Sequence, residues 1–454
     1  MNTFPPFPLI FLLLLPFMAA SQEQPVLRGE LNSNQRLLLT DGNEWAWNEN
    51  RLDLSLEKRF ANTRFFGNVW LRHLGEPQVS SSWDLYSRDN INPWNLDIRE
   101  AYAEVRGFLF ENIDMKIGRQ RIAWGTSDIM SPTDMLNPYD LEDVLDFGRK
   151  NGSEALNLTW YMGPSWSLQG VYLPWFRPSN LPLGAFAGIF STAIELSEGL
   201  TLSEYSDRLE MPRHSLKEGA SLGFRLKGFA FNTDFSLSYI YGRETLPFAS
   251  HVLLMPAGMQ GETNVQSELF FPRYHMLGAD MDGTIGNMGV RAEAGVFFPE
   301  REIVMTTDLS LLYGQPAGTV ISDSILLKKE SYVRFVVGAD YTFRNGTYLN
   351  AQYMRGFFHE RGRGNLNDYL IIAAERSVAG DKLLIRPLAG GVVISDWDNP
   401  KNNYALFYTP EIIYRGIDNL EVGIGAYIFE GKGENIFAGF RDYNMLSARV
   451  RLSF

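Results

Sequence analysis

The last six residues, Arg449-Val450-Arg451-Leu452-Ser453-Phe454, alternate polar with apolar side chains and stop on an aromatic ring. Alternation with period two puts neighbouring side chains on opposite faces of a strand, one charged and one greasy. Reading backwards, Leu446, Ala448, Val450 and Leu452 share the apolar face, which predicts a strand over Tyr443–Phe454.

The same pattern recurs along the chain. Leu52, Leu54 and Leu56 alternate with Asp53, Ser55 and Glu57, and a brief turn at Ala61-Asn62 leads into Phe65, Gly67, Val69 and Leu71. Ala101, Ala103 and Val105 oppose Glu100, Tyr102 and Glu104; Ile113, Met115 and Ile117 oppose Asp114, Lys116 and Gly118. Leu156–Trp160 and Trp166–Leu168 flank Gly163-Pro164; Leu222–Leu226 and Phe235–Tyr241 flank Phe231-Asn232. Val290, Ala292, Ala294 and Val296 follow a turn read at Asp282-Gly283. Val333–Tyr341 meets Leu349–Tyr353 across Asn345-Gly346, a strong hairpin signal.

About eight tight turns pair about sixteen strands, and one strand at each end (28–39 and 443–454) brings the total to about 18, an even number that lets the terminal strands close a cylinder. The long connections, 75–95, 124–152, 176–216, 244–269 and 298–329, all fall on the rim opposite the short turns. That asymmetry is the outer-membrane pattern. A sandwich rarely uses so many strands in one sheet, and a propeller would show a blade-length repeat, which this chain lacks. The fold class read from the sequence is all-β, a transmembrane antiparallel barrel of about 18 strands with long extracellular loops.

The other end of the chain agrees. Leu9–Phe17 is an apolar run of export-signal length, followed by the small residues Ala19-Ala20-Ser21. It is too short to span a bilayer, and Pro16 would break a helix there. Residues 1–21 are therefore read as a signal peptide and 22–454 as one barrel domain. No other segment approaches the roughly 20 apolar residues of a spanning helix. Hydrophobic residues make up 45% of the chain and aromatics 13%, values that a barrel accommodates because alternation hides its apolar face. With no cysteine, disulfides, thiol catalysis and zinc–thiolate sites are excluded. A net charge of −12 argues against a nucleic-acid partner.

In lipid a lysine or arginine at mid-depth costs about 2–4 kcal/mol, so the charged face must line the lumen. The lumen set is Arg64, Glu100, Glu104, Lys116, Arg225, Arg291, Glu293, Arg334, Asp340, Glu421, Arg449 and Arg451. These charges are mixed in sign and can satisfy one another across strands without selecting an ion. A barrel of this strand number holds water unless loops fill it.

The densest polar stretch is 118–152. It runs Gly118-Arg119-Gln120-Arg121, Trp124-Gly125, Asp128, Pro132-Thr133-Asp134, Asn137-Pro138-Tyr139-Asp140, then Glu142, Asp143, Asp146, Arg149 and Lys150. Too polar for a lipid face, 124–152 reads as a loop folded back into the lumen. Arg119, Arg121, Asp128, Asp134, Asp140 and Arg149 would form a charged constriction; the plainer reading is a salt-bridge network that only holds the loop. The carboxylate spacing matches no calcium loop.

Gly118-Arg119-Gln120 with Trp124-Gly125, Asp128, Pro132-Thr133-Asp134 and Asn137-Pro138, followed by Leu173-Pro174-Trp175-Phe176-Arg177-Pro178 and Leu181-Pro182, resembles a porin-like family of outer-membrane β-barrel proteins of unknown function (DUF1302-type). The likeness spans roughly residues 95–185. It implies a barrel of the 18-strand class and a passive channel role, and supplies no substrate. A weaker similarity to alginate-export barrels rests on the Gly-Arg-Gln element. Those barrels tend to an arginine-rich lumen, from which the mixed lumen here departs.

Apolar content in the loops is the second clue: Leu183, Phe186, Ile189, Phe190, Ile194 and Leu196, then 252–255 and 303–312. These pieces can pack together as a lid or plug, or capture a hydrophobic small molecule; spacing through Phe186–Ile194 allows a short helix. The five histidines are scattered and sit in no hydrolase or metalloprotease motif, so no enzyme, cofactor or metal is expected. The resulting expectation is an outer-membrane channel for passive passage of small solutes. The alternatives are facilitated uptake of hydrophobic small molecules, or an export conduit for a periplasmic polymer. Expected partners are outer-membrane lipid and lipopolysaccharide, the barrel-assembly machinery, which would use Phe454 as its signal, and a small-molecule solute.

Overall fold

The computed structural model describes residues 24–39, 44–77, 79, 81–127, 130–187, 199–215, 217–258 and 261–454. The amino-terminal apolar run and Asp128 lie outside them.

The barrel begins with β1 (Val26–Leu38), β2 (Trp45–Phe60), β3 (Thr63–Leu74) and β4 (Trp94–Val105). It continues with β5 (Ile113–Gln120), β6 (Ser153–Tyr161) and β7 (Trp166–Leu173). A loop strand, β8 (Thr201–Glu210), precedes β9 (Ser221–Ala230) and β10 (Thr233–Arg243). After the loop strands β11 (Phe248–Pro256) and β12 (Glu262–Phe270) come β13 (Arg273–Ile285) and β14 (Met288–Pro299). After β15 (Ile303–Asp308) and β16 (Ile321–Leu327) come β17 (Tyr332–Thr342), β18 (Thr347–Arg355), β19 (Asp368–Val378) and β20 (Leu383–Ile394). The last four are β21 (Tyr404–Tyr408), β22 (Glu411–Ile417), β23 (Leu420–Lys432) and β24 (Met445–Ser453).

Among the described residues nineteen strands join one antiparallel sheet, and β21 and β22 run end to end between β20 and β23. The cylinder therefore has eighteen staves, closed where β1 pairs with β24 from Glu30↔Ser453 to Leu38↔Met445. Closure leaves no unpaired edge in the bilayer.

The short turns follow the local chemistry. Phe231 and Asn232 both take left-handed φ (54° and 59°), as a two-residue hairpin requires. Ala61-Asn62, Gly163-Pro164 and Asn345-Gly346 turn where the sequence places them. The turn read at Asp282-Gly283 is instead at Gly286-Asn287, because β13 continues to Ile285, with Gly283 opposite Val290. Outward-facing Leu446, Val450 and Leu452 on β24, Ile424 on β23 and Leu237 on β10 are exposed. An apolar belt of this extent around a closed cylinder is a lipid-facing surface.

Three neighbouring staves share an irregularity. Pairing slips by one residue between Ala374 and Arg376, and again where the partners of β20 pass from Tyr408 to Glu411. Pro387 and Pro410 sit at this level and can donate no ladder hydrogen bond.

The loops on one rim build a second sheet, in the order β16-β15-β11-β12-β8. Two of its pairings, β11 with β15 and β12 with β8, are parallel. Val252, Leu254 and Val265 are its buried core, with Leu200, Met305, Leu309 and Leu312 packed against them. The apolar pieces at 252–255 and 303–312 thus pack on each other. Of the helix allowed over Phe186–Ile194, one 3-10 turn at Gly184–Phe186 is described and 188–198 lie outside.

The carboxy-terminus is stitched to the first strand. Phe454 and Gly29 exchange backbone hydrogen bonds, each 2.8 Å. A β-carbon at Gly29 would fall inside the Phe454 ring. Gly29→Val, or removal of Phe454, is therefore expected to cut the yield of folded barrel sharply. Heat-modifiable migration on a gel measures that yield, and an unchanged folded fraction for both variants would contradict the closure argument.

Candidate functional site

The lumen is crossed by the segment that joins β5 to β6. It starts at Arg121, three residues earlier than the 124–152 read from sequence, because β5 ends at Gln120. The fully buried Gln120 amide donates to Ala155 O (3.1 Å). Asn137 ties the two ends of the segment together. Its Oδ1 accepts from Ile122 N (2.7 Å), and its Nδ2 donates to Gln120 O and Ser153 Oγ (both 3.2 Å). Beyond it, Tyr139 and Lys150 form an isolated antiparallel bridge, with Asp140 N donating to Arg149 O (3.0 Å). The second strip it touches is the stretch after β7, where Asn180 N donates to Tyr139 O (3.0 Å).

Three acids of the segment reach three strands of the wall. Asp143 takes both terminal nitrogens of Arg36 on β1 (2.6 and 2.8 Å). Glu142 accepts from Arg72 on β3, and Asp140 from Arg99 on β4 (2.8 Å). Towards β7 and β14 the polarity reverses, and the wall supplies the acceptors. Gln169 on β7 accepts from the Trp124 indole (2.8 Å). Glu293 on β14 accepts from Thr126 N, Ser127 N and Thr133 N at 3.0, 3.2 and 2.8 Å, and from the hydroxyls of Ser131 and Thr133. Ser131 Oγ also accepts from Asp134 N (3.1 Å), the local turn that Ser-Pro-Thr-Asp favours.

Apolar packing completes the span. Ile122, Trp124, Met135 and Leu136 enter a buried cluster with Ile240, Met276, Phe297 and Tyr332 of the wall. Met130, Tyr139, Leu141 and Val144 enter another with Val336, Tyr369, Val393 and Met445. That second cluster also takes Phe186, Phe357, Phe358, Phe437 and Phe440 from other loops, with Phe358 4.8 Å from the Tyr139 ring.

Of the six residues read as a constriction, Asp128 lies outside the described residues. Arg121 and Lys150 pair with Asp134, and Arg149 with Asp140 (3.0 Å). Arg119 is not on the segment at all; it sits on β5 and faces a separate cavity. Burial alone would raise the carboxyls of Asp134, Asp140 and Asp143, but the adjoining cations outweigh it and hold all three below the ordinary range: Lys150 and Arg121 for the first, Arg149 and Arg99 for the second, Arg36 for the third. Burial, partly offset by Asp134, pushes the Lys150 ammonium down to about 8.

The residues read as lumen-lining mostly pair across strands. Arg64 meets Glu104 (3.2 Å), Arg225 meets Asp280 (3.1 Å) and Arg449 meets Glu411 (2.9 Å). Arg291 pairs with Asp340, and Arg451 with Glu421. Lys116 lies 4.2 Å over the Tyr102 ring, and Glu100 accepts from Arg121 N (3.3 Å). Arg334, 2% exposed, stacks 4.0 Å over Phe297 and donates to the carbonyls of Phe357 and Phe358 (3.3 and 3.2 Å). Arg36, Arg72 and Arg99, which hold the segment, were not singled out from sequence. Their partners are 107, 70 and 41 residues away, a separation at which no local pattern operates.

Between the segment and the wall of β3 and β4 lies a cavity of ≈ 230 Å³. Its charged lining is Arg72, Arg99, Arg119 and Arg177 against Asp97, Asp140 and Glu142.

The fold has solved counterparts. OccK9 (OpdG) of Pseudomonas aeruginosa superposes with a TM-score of 0.50 at 9% identity, covering 95% of this chain and 97% of that one. OccAB3 of Acinetobacter baumannii gives 0.49 at 10% identity, covering 95% and 98%. The outer membrane channel DcaP of Acinetobacter baumannii gives 0.42 at 10% identity, covering 95% and 97%. No curated protein matches the chain in sequence. A family model described as a protein of unknown function matches residues 75–379, which spans β4 to β19, the crossing segment and the loop sheet. The chain belongs to that family, DUF1302.

Proposed function

We propose that this barrel is a bacterial outer-membrane channel through which small polar solutes diffuse passively, with residues 121–152 setting the bore. The observation that carries the reading is the pairing of a lipid-facing exterior with a charged lumen crossed by one firmly anchored segment. An eighteen-strand cylinder is wide enough for water and small solutes, and a transverse segment converts it into a narrow, selective passage. On this reading residues 1–21 are an export signal. The assembly machinery and the lipids of the outer membrane are the partners of the folded chain, and the loop sheet faces the cell exterior.

Purified full-length protein in a planar bilayer is expected to give steady, ohmic single-channel steps. Liposomes carrying it should swell in small sugars or amino acids. Bilayers that stay silent at all voltages, with protein shown to be inserted, would refute the channel.

A further inference from the structure

One guanidinium of the cavity beside β3 and β4 lacks a close acceptor. Arg72 is held by Glu142 and Glu49, and Arg99 by Asp140 and Asp97 (2.8 and 2.9 Å). Arg177 is gripped by both oxygens of Glu154 (2.7 and 2.6 Å). The Arg119 side chain makes no hydrogen bond to any described residue. The carboxylate of Asp97 is 4.0 Å from it and is already engaged by Arg99, and the Arg119 Nε is buried without an acceptor. Its side chain is 21% exposed and lines the cavity, so the terminal nitrogens of its five-donor fork are open to a ligand there. A guanidinium that faces a cavity without a close acceptor suits a planar anion that accepts two parallel hydrogen bonds.

We propose that this cavity is a binding station for a small monocarboxylate, with the carboxylate seated on Arg119 and its polar body beside Asn95 and Asn180. The acids of the lining set the class. Asp97, Asp140 and Glu142 in the lining repel a second negative charge on the ligand. The site deepens the channel reading by naming a solute class for it, and its occupancy is measurable without any conductance.

The test is calorimetric titration of the full-length protein in detergent with sodium lactate, and with lactamide and inorganic phosphate for comparison. Lactate is expected to bind, lactamide not to, and phosphate to bind more weakly. Arg119→Gln should weaken lactate by roughly tenfold or more, the loss of one charge-assisted pair. Glu154→Gln, which frees Arg177 nearby, should strengthen it, so the two variants move in opposite directions. Equal lactate affinity in wild type and in correctly folded Arg119→Gln overturns the proposal, as does tighter binding of phosphate. Should Arg119→Gln not fold, unchanged or weaker binding by Glu154→Gln overturns it. Lactate binding by a protein that conducts nothing would keep this site and remove the channel; steady conductance without lactate binding would do the reverse.

Discussion

Replacing residues 125–150 by a short Gly-Ser bridge is expected to raise single-channel conductance several-fold and to leave the cylinder folded. The barrel does not depend on the segment for its backbone hydrogen bonds. Every stave pairs with its two neighbours, and β5 pairs directly with β6 from Ile113↔Trp160 to Gln120↔Ser153. What the segment supplies is side-chain ion pairs, the bonds to Glu293 and two apolar clusters. Its loss would wet Ile240, Met276 and Val393, now buried, at a cost of about 25 cal/mol per Å² of newly exposed apolar surface. A continuous sheet tolerates that cost more readily than it tolerates a broken ladder. Conductance unchanged by the excision would mean that the bore is set elsewhere, by Phe357, Phe358, Phe437 and Phe440.

The second large effect is expected from Asp143→Ala. Arg36 and Asp143 are 4% and 3% exposed and bonded through both guanidinium nitrogens, so the truncation strands a buried cation. Breaking one side of such a pair costs about 3–5 kcal/mol, whereas replacing both partners by apolar groups is close to neutral. Amide exchange over residues 139–150 should therefore speed up on the order of a hundredfold or more in Asp143→Ala and return most of the way in Arg36→Met combined with Asp143→Leu. Equal exchange in the single and double variants would remove the anchor role of this pair. The same physics fixes the response to acid. Burial pushes the Asp143 carboxyl up, but Arg36 more than compensates, so its folded pKa lies below its unfolded one. Its stabilisation is complete above the ordinary aspartate value of about 3.9 and disappears as the pH falls through the lower folded value. Asp134 and Asp140 shift the same way. Protection of 139–150 should hold from neutral pH to pH 5 and collapse only below the ordinary carboxylate range.

The cylinder was legible because each stave carries its own code. Alternation in Leu446–Leu452 and left-handed turn dipeptides such as Phe231-Asn232 are local signals, and local signals survive in sequence. The loop sheet was not legible for the opposite reason. Its strands come from three different connections and two of its pairings are parallel, so no hairpin turn announces them. β8 is exposed along its whole length, which leaves it no buried face to impose alternation. The displaced turn at Gly286-Asn287 has a similar cause, since Asp282-Gly283 offers equal turn chemistry and only the pairing with β14 decides between them. In the crossing segment the acids could be read, because carboxylates too dense for a lipid face have few places to go. Their arginine partners could not, since a strand residue such as Arg36 looks like any other inward charge until the chain is closed.

The slipped pairings at Glu375, Pro387 and Pro410 have a mechanical corollary. A tube stiffened by cross-links all round its girth, but short of them in one patch, resists pressure unevenly and flattens along that meridian first. Arg386, which clasps Glu375 and Glu411 across the patch, then acts as a rivet beside the Thr409 N to Ala389 O bond (2.7 Å), so part of what holds the cross-section of the tube there is electrostatics that salt can soften.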